Sequence, residues 1–321
     1  MFTKRHLIAL VVLAAFIGIF ALLKLRVRKE NNNGITIGIL QTASHPALDA
    51  VREGFMQEIK NDLPDVEFVV QNAQGNINNA HAIAQSFHAN DHINAIFAIA
   101  TPALQATASI EKQKPIVFAA VTDPKALHLE LQNSNITGVS DMINVPNTIT
   151  MLKELVPTAK TVALIYNNAE INSATLAKSM KKELEAQGLQ AIDFGVTSEA
   201  DILPAVTTAL SKADALLAPT DNTVASTIEL IAKQALAAKK PLLVSDNLLV
   251  AKGALAARGV DYKAIGQQAA QQMSAILKDG KKPYELPIGY AISGRIFINK
   301  QTLENLNLHI PASLEDQVTF I

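Results

Sequence analysis

The sequence predicts an α/β protein made of two doubly wound, Rossmann-like lobes, each on a parallel sheet. Two observations lead there. Short, continuously apolar runs alternate with helical patterns almost without interruption, as expected of parallel strands covered on both faces. The two halves of the body also match as an approximate repeat: "ITIGIL" at 35–40 corresponds to "TVALIY" at 161–166, and "KPIVFAAVTDP" at 114–124 to "KPLLVSDN" at 240–247. A chain of 321 residues, nearly half of them apolar, has room for two such cores.

In order, the first half gives a strand at Ile35–Leu40, a helix from Pro46 to Asn61, a strand at Val66–Gln71 and a helix over 77–89. Ala95–Ala100, a helix over 102–112 and Ile116–Val121 follow. The second half gives a helix over 146–155, Thr161–Tyr166, a helix over 173–187, Ala191–Val196 and a helix over 202–212. It continues with Ala215–Ala218, a helix over 222–239 and Leu242–Ser245. After Asp246 come the segment "GALAARGVD", a helix over 262–278, Pro283 and Pro287, a strand at Arg295–Asn299, a short helix and "HIPASL". That tail is longer than one lobe needs, so the chain is expected to cross between lobes three times. The expected division is 34–140 plus 247–283 for one lobe and 141–246 plus 284–321 for the other.

Residues 1–33 stand apart. The run Leu7 to Leu23, "LIALVVLAAFIGIFALL", carries no charge and lies between Lys4-Arg5 and Lys24, Arg26, Arg28 and Lys29. At about 1.5 Å per residue it is near the lower limit for crossing a bilayer. It reads as an uncleaved membrane anchor. A cleaved secretory signal is the competing reading, but its best cleavage site, Ile19-Phe20-Ala21, has apolar chain on both sides. More Lys and Arg follow the run than precede it, which by the positive-inside rule alone would leave the body in the cytoplasm. The leading charges, in contrast, resemble the start of an export signal. The polar stretch "KENNNG" at 29–34 reads as a tether.

Composition narrows the chemistry. With 28 basic against 29 acidic residues, there is no electrostatic case for nucleic acid as a partner. Absence of cysteine removes thiolate catalysis and Cys-ligated metals. The histidines form no metal motif, and neither a nucleophile elbow nor a phosphate-binding glycine loop is present. The expectation is a non-enzyme without metal or cofactor.

Ligands of open parallel sheets sit beyond the carboxyl ends of the strands. The corners there are short, neutral and rich in hydrogen-bonding groups: Gln41 to Pro46, Thr101-Pro102 and Thr122-Asp123-Pro124 in the first half. The second half has Asn167 to Ser173, Thr220-Asp221-Asn222 and Ser245-Asp246-Asn247. Thr101 before Pro102, and Ser44 or His45 before Pro46, read as N-caps whose helix ends suit a carboxylate. Asp123, Glu170, Asp221 and Asp246 suit an ammonium. A zwitterion such as an amino acid would satisfy both. Ser, Thr, Asp and Asn also cap helices in any α/β protein, so each residue taken singly has a structural reading as well.

At these corners "IGILQTASHPALDAVREGF", "ATPALQ", "VFAAVTDP", "ITGVSD" and "APTDNTV" resemble the extracytoplasmic solute-binding proteins of ABC transporters, in the subgroup that includes binders of tryptophan and other aromatic amino acids. The likeness runs from Ile35 to Leu314. It implies the type I periplasmic binding protein fold, with a three-segment hinge closing on a ligand that is handed to an ABC permease and its ATPase. It implies ligand contacts at Thr42, Ser44, Thr101, Thr122, Asp123, Asn172, Ser173, Asp221, Asn222 and Asp246, with Gly138 to Asp141 as the first crossover. A periplasmic protein held in the inner membrane through residues 7–23 is the matching location. The alternative is a tethered extracytoplasmic ligand sensor, although no signalling domain is attached. With no Trp in the chain, stacking on an aromatic ligand would fall to Tyr166 and Phe118.

Overall fold

The computed structural model describes residues 34–127, 129, 133–291 and 293–321. The anchor expected at 7–23 lies outside the described residues. Among the described residues no helix is long and apolar enough to cross a membrane. Thr36–Ile321 forms one compact unit.

Its first sheet has the order β2-β1-β3-β4-β5-β11, all parallel. The strands are β1 Thr36–Gln41, β2 Glu67–Asn72, β3 Ala95–Ile99, β4 Ile116–Ala119, β5 Ile136–Ser140 and β11 Gly289–Tyr290. Helices α1 Pro46–Asp62, α2 Ile77–Ala89 and α3 Thr101–Ile110 connect the first four. Every residue of β3 and β4 is buried, as their unbroken apolar sequence requires. The rings of Phe55 on α1 and Phe97 on β3 stack at 3.8 Å between centroids.

The second sheet repeats this winding in the order β7-β6-β8-β9-β10, then adds β12 antiparallel to β10 and β13 parallel to β12. Its strands are β6 Thr161–Asn167, β7 Gln190–Val196, β8 Ala215–Ala218, β9 Leu242–Val244, β10 Ala256–Val260, β12 Ser293–Ile298 and β13 Val318–Phe320. Its helices are α4 Val145–Leu155, α5 Ile171–Ala186, α6 Ile202–Lys212, α7 Asn222–Ser226 and α8 Ile228–Ala237, with α10 Lys300–Asn305 near the end. The antiparallel β12 departs from the all-parallel expectation.

The chain passes between the sheets three times: after β5, after β10, and between Tyr290 and Ser293. Two segments lie elsewhere than the expected division placed them. Residues 256–260, expected in the first lobe, pair inside the second sheet, while 289–290, expected in the second, extend the first. "GALAARGVD" thus holds a strand, made inconspicuous by small residues and Arg258. Helix α9, Tyr262–Leu277, returns to the first lobe and lies against α1. The approach is close because both helices have glycine at the crossing. A Cβ at Gly266 would come within 2.1 Å of the Val51 carbonyl oxygen, and one at Gly54 within 2.3 Å of that of Lys263. This contact fixes the start of α9, and with it Tyr262, at the mouth of the first crossover.

Local differences from expectation have local causes. The helix expected over 222–239 breaks at Thr227, whose hydroxyl bonds back to the carbonyls of Thr223 and Val224. The strand expected over 116–121 stops at Ala119 because Ala120 turns left-handed (φ 55°).

Candidate ligand site between the lobes

In each sheet the winding reverses direction between the first and third strands of its lobe, where ligands of such folds bind. The two reversal points face one another. Between them lies a narrow cavity with about 20 Å³ open to the centre of a water molecule, about one water's worth of room, so the lobes stand nearly shut on it. The first lobe contributes His45, Ala47, Leu48, Ala100, Ala120 and, at the start of α9, Tyr262. The second contributes Asn172, Pro219, Thr220, Asp221, Asn222, Ala225, Asp246 and Leu249, and Asp141 comes from the crossover. Among the described residues no lysine or arginine lines it.

The first-lobe wall is made of backbone. His45 precedes α1 in extended conformation and makes no side-chain cap, and Pro46 has no N–H. The first backbone bond of this helix runs from Asp49 N to His45 O. The amides of Ala47 and Leu48 therefore remain as donors at the cavity wall, at the positive end of the helix. Ala100 (φ 75°, ψ 165°) and Ala120 (φ 55°) both take positive φ, a backbone that favours glycine, at the ends of β3 and β4. For alanine this costs about 1–2 kcal/mol, and strain of this kind gathers at functional sites.

The opposite wall is acidic. Asp141 is 1 % exposed and accepts a hydrogen bond from the Tyr262 hydroxyl at 3.2 Å. Burial pushes its carboxyl up to about 6, against the hydrogen bond from Tyr262. Asp246 is 4 % exposed and caps the turn Asn247–Lys252 through the Leu248 N–H at 2.8 Å. Burial and the neighbouring Asp141 charge push it up to about 7. Burial also raises the Tyr262 hydroxyl well above its ordinary value, so it stays a donor. Glu170 and Asp221 are likewise raised by burial, Glu170 further by the Asp221 charge. Two acidic pairs thus stand here, Asp141 with Asp246 and Glu170 with Asp221, with no lysine or arginine among the described residues that line the cavity. Such an arrangement is complementary to a cation.

Of the ten residues expected at the site, Asn172, Asp221, Asn222 and Asp246 line the cavity. Four others stand behind its walls. The Thr42 hydroxyl donates to the Ile99 carbonyl and accepts from the Ala103 N–H, tying the first corner to α3. Thr101 is buried, with its hydroxyl making no hydrogen bond to described residues. Thr122 is buried with its hydroxyl making no hydrogen bond to described residues, and Ser173 donates to the Thr220 carbonyl. Two lie outside the cavity lining. Ser44 is exposed and bonds Asp49, while Asp123 caps the turn Pro124–Leu127 through the amides of Lys125 and Ala126.

Asp221 is bound tightly to its own lobe. One oxygen accepts the Val224 N–H at 2.7 Å, capping α7, and the other accepts the Asn167 N–H at 2.5 Å. The aromatic expectation is corrected: Phe118 is fully buried in β4, and Tyr166 packs against the second-lobe core near Asp193 and Lys181. The rings at the cavity are His45 and Tyr262. Tyr262 was missed because it reads as an ordinary first-turn residue. Its one signal is the capping aspartate, Asp261, whose side chain accepts the Ala264 N–H. Among the described residues no cluster could hold a metal ion.

Comparison with known proteins gives a consistent picture. The family model described as "ABC transporter substrate binding protein" matches residues 36–319. A "Tyrosine-binding protein" of Clostridioides difficile is 31% identical over 289 residues, spanning 88% of this chain and 82% of that one. The Streptococcus pneumoniae ABC domain in complex with L-Trp is 31% identical and superposes with a TM-score of 0.85, over 89% of this chain and 99% of that one. The ligand-free, open structure of a Clostridium difficile substrate binding protein with adhesive properties is 30% identical over the same shares, yet its TM-score is 0.66.

Proposed function

Because this chain belongs to the ABC transporter substrate-binding family, we propose that it captures a free amino acid between its lobes and delivers it to an ABC permease. The carrying observation is the cavity itself: buried Asp141 and Asp246 without a basic partner stand across from free helix-end amides. An α-ammonium neutralises the first wall and an α-carboxylate fits the second. Neither a simple amine nor a simple acid uses both. The relatives named for tyrosine and solved with L-Trp support an aromatic side chain. Tyr262, His45 and Leu249 offer it a partly apolar surround.

Two structures of nearly equal identity differ widely in fit: the L-Trp complex superposes far better than the open, ligand-free one. This supports reading the lobe arrangement here as the gripping one. The ligand draws the lobes together by binding the closed form better than the open. In the cell the body works outside the cytoplasm, with 7–23 as its link to the inner membrane.

Calorimetry of the body with the common amino acids tests the reading. Heat with an aromatic amino acid, together with a smaller radius of gyration in X-ray scattering, is the expected result. Saturable binding with an unchanged radius would place the site within one lobe. No heat with any of them would remove the amino-acid reading.

A further inference from the structure

A chain of side chains crosses the cleft beside the acidic wall. Glu170 accepts from the amide nitrogen of Asn222 through one carboxylate oxygen and from the Thr223 hydroxyl through the other. An amide nitrogen held by a carboxylate leaves its oxygen as the acceptor for anything on the other side. That oxygen lies 3.2 Å from Nε2 of His45, which belongs to the first lobe. Nε2 must therefore be the nitrogen that carries the proton. The buried, neutral ring then has an unprotonated Nδ1, and this atom is buried with no partner among the described residues. On the facing lobe Asn172 is in the same condition. Its amide nitrogen donates to Glu170, Ser173 and the Thr220 carbonyl, while its oxygen is buried and unpartnered. Both residues line the cavity.

We infer that the Glu170–Asn222–His45 chain makes His45 a specificity-determining residue, holding a bare Nδ1 lone pair in the cleft to accept a hydrogen bond from the ligand's ammonium. The inference rests on the amino-acid reading above and adds to it how donors are counted. An ammonium has three N–H bonds to place, and one acceptor from each lobe joins the carboxylates in receiving them. Because the same ring donates to Asn222, it also links the lobes, so loading the site and holding the cleft shut use one side chain. A ligand lacking the amine leaves Nδ1 and the Asn172 oxygen desolvated and unpaired, which is how a buried polar site rejects a near-isostere.

The test uses the full chain with ¹⁵N-labelled histidine. The His45 signals, assigned by their loss in His45→Gln, should show a protonated Nε2 and a bare Nδ1. On adding L-tryptophan the Nδ1 resonance should shift toward a hydrogen-bonded nitrogen, whereas indole-3-propionate, which has the ring and carboxylate but no amine, should leave it in place. His45→Gln keeps a donor toward Asn222 but has no acceptor at Nδ1, so it should weaken L-tryptophan by about tenfold and leave indole-3-propionate no weaker, since the unpaired acceptor that disfavours it is gone. A proton on Nδ1 in the wild-type protein overturns the inference, whether or not His45→Gln folds. So does tight L-tryptophan binding with an unmoved Nδ1 signal. If the wild-type protein binds no amino acid, the amino-acid reading and the ligand half of this inference fall, and the spectrum of the free ring still decides the tautomer.

Discussion

The corner after β3 and the corner after β8 occupy equivalent places in the two lobes, and they have opposite chemistry. In the first, Thr101-Pro102-Ala103 contains no charge, and its helix is tied down from outside by the Thr42 hydroxyl on the Ala103 N–H. In the second, Asp221 caps its own helix and holds Asn167 as well. The turns after β4 and β9 show the same divergence. Asp123 and Asp246 both cap short turns, but Asp123 lies off the cavity while Asp246 is buried in its wall. A duplicated topology therefore leaves the first lobe presenting helix-end amides beside the His45 ring, and the second lobe and the crossover presenting carboxylates. A zwitterion is the small molecule that needs both.

The comparison can be broken most severely by neutralising the acidic wall. A charge-assisted hydrogen bond contributes about 1.5–3 kcal/mol, so Asp141→Asn or Asp246→Asn should each weaken L-tryptophan by about ten- to a hundredfold, and the double variant by more. Calorimetry reads the affinity. The ligand-free melting temperature should rise in the same variants, because a carboxyl disfavoured by burial has been removed. A fall in both would mean that these groups serve the fold alone.

Acidity probes the same wall without mutation. Both carboxyls titrate higher in the fold than the ordinary 3.8, to about 6 and about 7. Their neutral forms favour the folded state, and this contribution is complete below the ordinary value and lost as pH rises through the raised ones. The ligand-free protein should thus melt at lower temperature as pH climbs from about 4 to about 7. Ammonium binding needs the ionised forms, so affinity should move the other way, falling about tenfold or more between pH 7.5 and 5.5. Parallel pH trends in melting and affinity would contradict the assignment.

Asp221→Asn sharpens the contrast between the corners. The amide retains one acceptor and turns an N–H₂ toward the other backbone N–H, leaving that buried donor unpaired at a cost of about 1–3 kcal/mol. Chemical denaturation should show that loss, with affinity changed less than for Asp246→Asn. A stable variant that no longer binds would instead make Asp221 a direct ammonium ligand. Thr42→Val tests the first corner and should have the smallest effect, about 1 kcal/mol of stability for one tie to α3, with binding retained.

Strand and corner positions were legible because continuous apolar runs such as "AIFAI" admit little else, and because ligand corners follow from winding direction. What was illegible depended on contacts distant in sequence. Tyr262 reaches the cleft through the glycine crossing of α1 and α9, and nothing around "DYKAIG" reports Gly54. Asp141 looked like hinge because its role comes from Tyr262 and Asp246 beside it. Ala100 and Ala120 hide their positive φ, which glycine would have announced. β10 was passed over because its small residues and arginine mask a buried strand, and this shifted the expected lobe division.

The central claim is that one ligand is held by charge of opposite sign on the two sides of the cleft. Calorimetric comparison of L-tryptophan with indole-3-propionate on the same protein tests it most directly. Removing only the ammonium should weaken binding by about a hundredfold or more, since at least two charge-assisted bonds are lost. Equal affinities for the two compounds would contradict it.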